Sequence, residues 1–268
     1  FARVPDLEVP GVCRAIPVID LLDEEVDVTP GRHLPAAGAE ATAERFTATR
    51  DRLAAVISRL DALTPEVRPA SRPAEVPVVP VGELARAGAL AVWQAPLRRD
   101  PAEAPAAPGG VPLLTVEDVL EGREPSATVE AEAPGEPGRR LVTMAGDIAV
   151  TAAARRFAAR VVERDGVVVG PHLVLVRVDP RVLDPHYLAG ILRSSANVRH
   201  STAVSTGSRA DVRRALVPRL PLDEQRRLGA LFRRMAELES ALRGGLALGG
   251  ELARLLADGV ADGTLGPA

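Results

Sequence analysis

The residues of this chain best suited to chemistry are its arginines. All 33 basic residues are Arg, and within residues 139–219 there are 14 of them against 6 acids. Residues 1–138 carry 13 Arg against 23 acids and residues 220–268 carry 6 against 7, so the formal net charge of -3 hides a basic middle beside an acidic start. A guanidinium is a planar fork of donors that matches phosphates and guanine edges. A local surplus of such groups points to an anionic partner and reads as a DNA-contacting surface. Arg155, Arg156 and Arg160 follow a strand pair, where a loop can enter a groove, and they also fit a solvated charged face. Ser205, Thr206, Ser208 and Arg209 surround Gly207 at a helix start, an arrangement suited to a phosphate, with Arg199 and His200 just upstream. Ser208 fits a plain capping loop equally well. Gln94, Arg98 and Arg99 border a long loop and read as ordinary polar surface.

Other chemistries find no motif. There is no Walker A loop, no His-Glu-x-x-His and no nucleophile elbow. An amino-methyltransferase needs a Gly-rich loop after a strand and an Asn/Asp-Pro-Pro-aromatic tetrapeptide to hold a flipped adenine, and neither occurs. Cys13 is alone, which excludes an intrachain disulfide and a Cys-based metal cluster. Asp23, Glu24, Glu25 and Asp27 read as an exposed acidic turn. His172 reads as a hydrogen-bonded structural residue, and Trp93 and Tyr187 as core packing. No catalytic, cofactor or metal residue is expected. No apolar run is long enough for a membrane span. The chain starts at Phe1 without a signal pattern, and a piece of a longer cytoplasmic protein is expected.

The positioning elements follow from periodicity. Hydrophobic residues make up 46% of the chain but aromatics only 2%, so Ala, Val and Leu must pack the core. Residues 1–38 allow one strand at most. Phe46, Leu53, Val56, Leu60 and Leu63 form a stripe that predicts a helix over 39–64, stopped by Thr64-Pro65. Five prolines make 65–80 an extended connector. A short helix is predicted at Val81, then strands at Leu90–Trp93 and Val111–Leu114, a helical turn at Val116–Leu120 and long loops at 95–112 and 121–138. Strands are predicted at Leu141–Met144 and Ile148–Thr151 about a Gly146-Asp147 turn. A hairpin on Asp165-Gly166 joins Ala158–Arg164 to Val167–Val169, and Leu173–Val178 is a further strand. Asp184-Pro185 starts a helix expected to reach about Ala196, and a short helix near 210–216 leads into a strand at Leu216-Val217. Asp223 is expected to cap a last helix over 222–258, followed by a flexible end at 259–268. Leu228, Leu231, Met235, Leu238, Leu242, Leu252 and Leu256 share one heptad phase there. Gly244, Gly245, Gly249 and Gly250 predict a break, at roughly 1 kcal/mol each, unless a second helix approaches closely. Two heptad helices bracketing an α/β segment would pair antiparallel.

As an ordered set, Gly146-Asp147-Ile148, Pro171-His172, Leu183-Asp184-Pro185-His186-Tyr187-Leu188, Thr206-Gly207-Ser208 and Leu220-Pro221-Leu222-Asp223-Glu224-Gln225 resemble the target recognition domain of type I restriction specificity subunits, over about 76–243. Residues 14–35 look like the trailing end of an N-6 adenine DNA methyltransferase. The resemblance implies an α/β (α+β) fold, a mixed-sheet recognition domain over 81–221 clasped by two long antiparallel coiled-coil-like helices. It implies double-stranded DNA as partner, within a restriction–modification or phage-defence system. It also implies an S-adenosylmethionine-dependent methyltransferase domain or subunit upstream, and a homodimer through the helices or reading of a single half-site. A helical assembly module without DNA contact is the alternative. The long Pro-rich loops and the glycines depart from the family pattern.

Overall fold

The computed structural model describes residues 8–9, 13–14, 39–69, 76–95, 110–130, 140–151, 157–202 and 211–267, with backbone only for 8, 9, 13, 14, 39, 40 and 200–202. The chain forms two compact units, Phe1–Asp61 with Ala241–Ala268, and Ala62–Ser240. In chain order the elements are β1 (Glu8–Val9), β2 (Cys13–Arg14), α1 (Ala39–Leu63), β3 (Val78–Pro80), α2 (Val81–Arg86), β4 (Leu90–Gln94) and β5 (Val111–Leu114). Then come α3 (Val116–Glu121), β6 (Ala127–Val129), β7 (Ile148–Thr151), β8 (Ala159–Val161), β9 (Val168–Val169) and β10 (Leu173–Val178). The chain closes with α4 (Pro185–Leu192), α5 (Ser195–Thr202), a 3-10 turn (Val212–Arg214), β11 (Leu216–Pro218) and α6 (Leu222–Ala261). The expected mixed α/β class with a long C-terminal helix is what the chain adopts.

The unit of residues 62–240 is built on a four-stranded antiparallel sheet in the order β4-β10-β7-β8. Successive side chains of a strand point to opposite faces. One face carries Leu90, Ile148, Val150, Val174 and Val176 into a core with Tyr187, Leu188 and Leu192 of α4. The other carries Ala149, Leu173 and Leu175 into a second core with Leu114, Val119 and Val169. A sheet covered on both faces explains the near-continuous apolar run of β10. The second cover is a three-stranded sheet, β6-β5-β9, in which β5 pairs antiparallel with β6 and parallel with β9.

Several expectations are corrected here. The segment predicted as loop, 121–138, contains β6. The Asp165-Gly166 turn does not join a hairpin: β8 pairs with β7 and β9 with β5, in different sheets. The reason is Thr143, whose hydroxyl donates to the Arg164 carbonyl and accepts from Val167 N, while its backbone exchanges bonds with Gly166 and Val167. Thr143 takes the polar groups that a hairpin partner would use, and the predicted strand at Leu141–Met144 reduces to a single bridge, Val142 to Val168. The Pro-rich connector ends in β3, paired antiparallel with β11, because Pro77 supplies only a carbonyl, to Arg219 N. The helix expected to reach Ala196 ends at Leu192, and α5 begins at Ser195 after Ser194 N bonds the Ile191 carbonyl.

In the other unit, α1 has its predicted stripe, and buried Thr49 fills the gap between Phe46 and Leu53. Arg45 pairs with Glu251 at 3.3 Å, and a Cβ on Gly245 would stand 3.4 Å from Val56 and 3.9 Å from Leu53. As the numbers rise along α1 they fall along α6, so the two run antiparallel. The glycines do not break α6, which is continuous for 40 residues. Close approach accounts for Gly245, whereas nothing lies within 4 Å of a Cβ on Gly244, Gly249 or Gly250. Asp223 lies inside the first turn of α6 and does not precede it. α6 runs to Ala261, three residues beyond its expected end, and closes with a Schellman cap. Thr264 N reaches the Gly259 carbonyl, Gly263 N reaches Val260, and Gly263 takes φ 75°. β1 and β2 pair with each other where one strand at most was expected, and the rest of residues 1–38 lies outside the described residues.

Candidate nucleic-acid interface

Gly146-Asp147 is a structural joint. Gly146 turns the chain at φ 92°, and Asp147, 1% exposed, accepts from Met144 N at 2.8 Å. Arg177 of β10 then grips both carboxylate oxygens, through Nε and Nη2, at 2.7 Å each. This pairing holds the guanidinium above its usual pKa, since the hydrogen bonds to Asp147 outweigh the opposing effect of burial. Arg177 also lies 5.2 Å from the centroid of Trp93 on the edge strand β4. Trp93 is 39% exposed, so the expectation that it packs in the core is corrected. The sheet register puts Arg160 of β8, Ala149, Leu175, Trp93 and Arg177 on one face.

The second joint fastens the globular fold to the start of α6. Asp184 caps α4, accepting from Tyr187 N at 2.8 Å, while its own N–H donates to the side chain of Gln225 at 3.1 Å. Gln225 donates in turn to the Leu220 carbonyl at 2.9 Å. The Tyr187 hydroxyl donates to the Pro218 carbonyl at 2.9 Å, and burial, then the Glu224 charge, pushes its pKa up to about 12. A Cβ on Gly229 would overlap the Asp184 carboxylate, and one on Gly190 would overlap the Phe232 ring. The Asp-Pro-His-Tyr and Pro-Leu-Asp-Glu-Gln motifs are thus two sides of one contact. Asn197 makes the next link, exchanging 2.8 Å and 2.9 Å bonds with Leu216 N–H and carbonyl and donating to Ile191.

Asn197 draws α5 against the 3-10 turn and β11. Arg199, Arg213, Arg214 and Arg219, all exposed, lie on or just after these neighbouring elements. Arg213 donates to the Val92 carbonyl of β4 at 3.2 Å, and Arg214 and Arg219 engage no acid among the described residues. Among the other described arginines several have acidic neighbours. Arg177, Arg181 and Arg193 pair with Asp147, Asp179 and Glu239, and Arg164 lies 3.8 Å from Glu124.

Of the residues singled out in the sequence, Arg160 lies at a shallow cleft floored by Leu114, Val119 and Val167 and rimmed by Arg123 and Arg164. Its guanidinium donates to the Arg123 carbonyl, and Arg123 pairs with buried Asp118 at 2.8 Å. Arg199 lies apart from it in the fold, on α5. Arg155, Arg156, Ser205, Thr206, Ser208 and Arg209 lie outside the described residues. His172 is exposed at φ 64°, in the turn between β9 and β10, so it is a turn residue of the left-handed kind that His tolerates. Sequence reasoning missed Arg213, Arg214 and Arg219, whose signal was only their crowding near β11. It also missed Arg177, whose signal was a lone charge in an apolar strand. Among the described residues no group of His, Cys, Asp and Glu could hold a metal ion, and no helix is long and apolar enough to cross a membrane.

No family model matches this chain, and no curated protein is similar to it. Solved structures that align with it include a chain of a type I R-M system, studied for complex assembly and conformational transition. It has 19% identity, covers 84% of this chain and 56% of that one, and gives a TM-score of 0.45. The HsdS subunit from Thermoanaerobacter tengcongensis aligns at 18% identity over 82% of this chain and 53% of that one, with a TM-score of 0.41. The chain therefore spans about half the length of either.

Proposed function

We propose that this chain is a sequence-specific double-stranded DNA recognition module of a restriction–modification adenine-N6 DNA methyltransferase, directing methylation to its target site. The observation that carries the reading is that Arg199, Arg213, Arg214 and Arg219 are exposed on elements that neighbour one another around β11. Phosphate anchoring needs such cations, and base reading falls to polar groups presented beside them. Ser205, Thr206, Ser208 and Arg209 precede the 3-10 turn of this patch in sequence, and with Arg155, Arg156 and Arg160 they are the assigned DNA contacts. Catalysis belongs to a methyltransferase domain or subunit that binds S-adenosylmethionine, and this chain incubated with that cofactor and DNA is expected to transfer no methyl group.

Duplex binding titrated against salt tests the electrostatic part. Neutralising about six phosphates predicts a log–log slope near -5, and a flat titration removes the claim. Arg213→Ala with Arg214→Ala, and separately Arg155→Ala with Arg156→Ala, are expected to weaken duplex binding while leaving the helix content unchanged. A second reading, a helical assembly module without DNA contact, draws on the α1–α6 pair. Under it neither double substitution alters anything beyond background.

A further inference from the structure

Exposed apolar side chains surround the ion pair of Asp147 and Arg177. Trp93 of β4 has its ring centroid 5.2 Å from the Arg177 guanidinium. Arg177 donates to the Val142 carbonyl at 3.4 Å, and Met144 N donates to the Asp147 carboxylate at 2.8 Å. Val142 and Met144 flank buried Thr143 and turn to the outside. Trp93, Val142 and Met144 are 39%, 42% and 53% exposed. Asp147 takes both Nε and Nη2 of Arg177, so this guanidinium backs the indole and does not present its fork to an outside anion. The cluster is an aromatic anchor fixed from behind, and such an anchor gives up little conformational entropy on binding.

The neighbours of the cluster say what it faces. β4 is the outer strand of its sheet, and Arg213 of the 3-10 turn donates to the Val92 carbonyl at 3.2 Å, one residue from Trp93. The apolar cluster therefore continues the surface that carries Arg213, Arg214 and Arg219. A partner that meets both is polyanionic and offers an apolar group beside its phosphates. On the base edges of duplex DNA that apolar group is the thymine methyl, which lies in the major groove. Phosphate contacts set the register of a protein on the duplex, whereas contacts to base edges carry the sequence information. We propose that Trp93, with Val142 and Met144 beside it, is a specificity-determining residue that packs on a thymine methyl group, next to phosphates held by Arg213 and Arg214. The inference rests on the DNA-binding reading above and adds to it a base contact of stated chemistry.

Two mixed-sequence duplexes test it, one amplified with thymidine triphosphate and one with deoxyuridine triphosphate, which removes every methyl and keeps every phosphate. In gel-shift titrations the unsubstituted chain should bind the thymine duplex about fourfold more tightly, the worth of one buried methyl group. Trp93→Ala should bind both duplexes equally, with the salt slope of the unsubstituted chain, because the indole neutralises no phosphate. Trp93 is the only tryptophan of the chain, so its emission reports this site alone. The thymine duplex should shield that emission from acrylamide, a measurement that needs no substitution. Duplex binding that leaves Trp93 open to acrylamide, or that is indifferent to the methyl groups, overturns this inference while the DNA-binding reading stands. So does a methyl preference that survives Trp93→Ala. Failure to bind either duplex overturns both.

Discussion

The two compact units differ in how their buried polar side chains and their glycines are used. In residues 62–240 the buried polar side chains are tied into networks. Asp118 accepts from Thr115, Arg123 and Ser126; Asp147 from Met144 and Arg177; Asn197 and Gln225 each bond two or more backbone groups. Glycines there, at 190 and 229, make room for a ring and a carboxylate. In the unit of α1 and the end of α6, three of the four central glycines face empty space and large aliphatics stand in solvent. One unit is closed by specific polar joints.

Breaking the first joint should have the largest effect. Asp147→Ala leaves Arg177 without its partner and removes three hydrogen bonds, for an expected loss of about 3–5 kcal/mol in chemical denaturation. A loss below about 1 kcal/mol would erase the contrast between the units. Next comes Gly229→Ala, whose methyl must displace the Asp184 cap. Overpacking with a lost cap predicts about 2 kcal/mol, again read by denaturation.

Asp118 sharpens the comparison by pH. Burial pushes its carboxyl up, but hydrogen bonds from Ser126, Thr115 and Arg123 together bring it below the usual carboxylate range. A lowered folded value means stability that is full above the unfolded value of about 3.9 and lost as pH falls through the folded one. The melting-point gap between the unsubstituted chain and Asp118→Asn should therefore narrow from about pH 5 towards pH 3, and a constant gap would contradict the assignment. The smallest effect has the opposite sign. Gly244→Ala and Gly250→Ala meet no atom within 4 Å and should each stabilise α6 by about 0.8 kcal/mol, seen as higher helicity on warming.

Much of the element order was legible because it is local. The α1 stripe, the Asp184 cap with Pro185 behind it, and the apolar run of β10 each follow from residues a few positions apart. Strand partners were not. Thr143 is unremarkable in sequence, yet it decides that β8 and β9 part company. The heptad phase read on α6 mixed two sides: Gly245 faces α1, while Leu242 and Leu256 face out, because a wide apolar helix looks like one seam until a neighbour selects a side. Of the predicted DNA contacts, Arg160 and Arg199 fall on separate elements, and the exposed patch includes arginines that had no motif to mark them.

By itself the sequence determined the starts of α1, α4 and β10, the locally basic composition and the absence of catalytic motifs, since these depend on neighbours in the chain. The tertiary structure alone decided that Arg177 is held by Asp147 and Arg193 by Glu239, while Arg213, Arg214 and Arg219 stand exposed around β11. Charge in a sequence is a sum over residues, whereas an available charge depends on what folding places within about 4 Å of it.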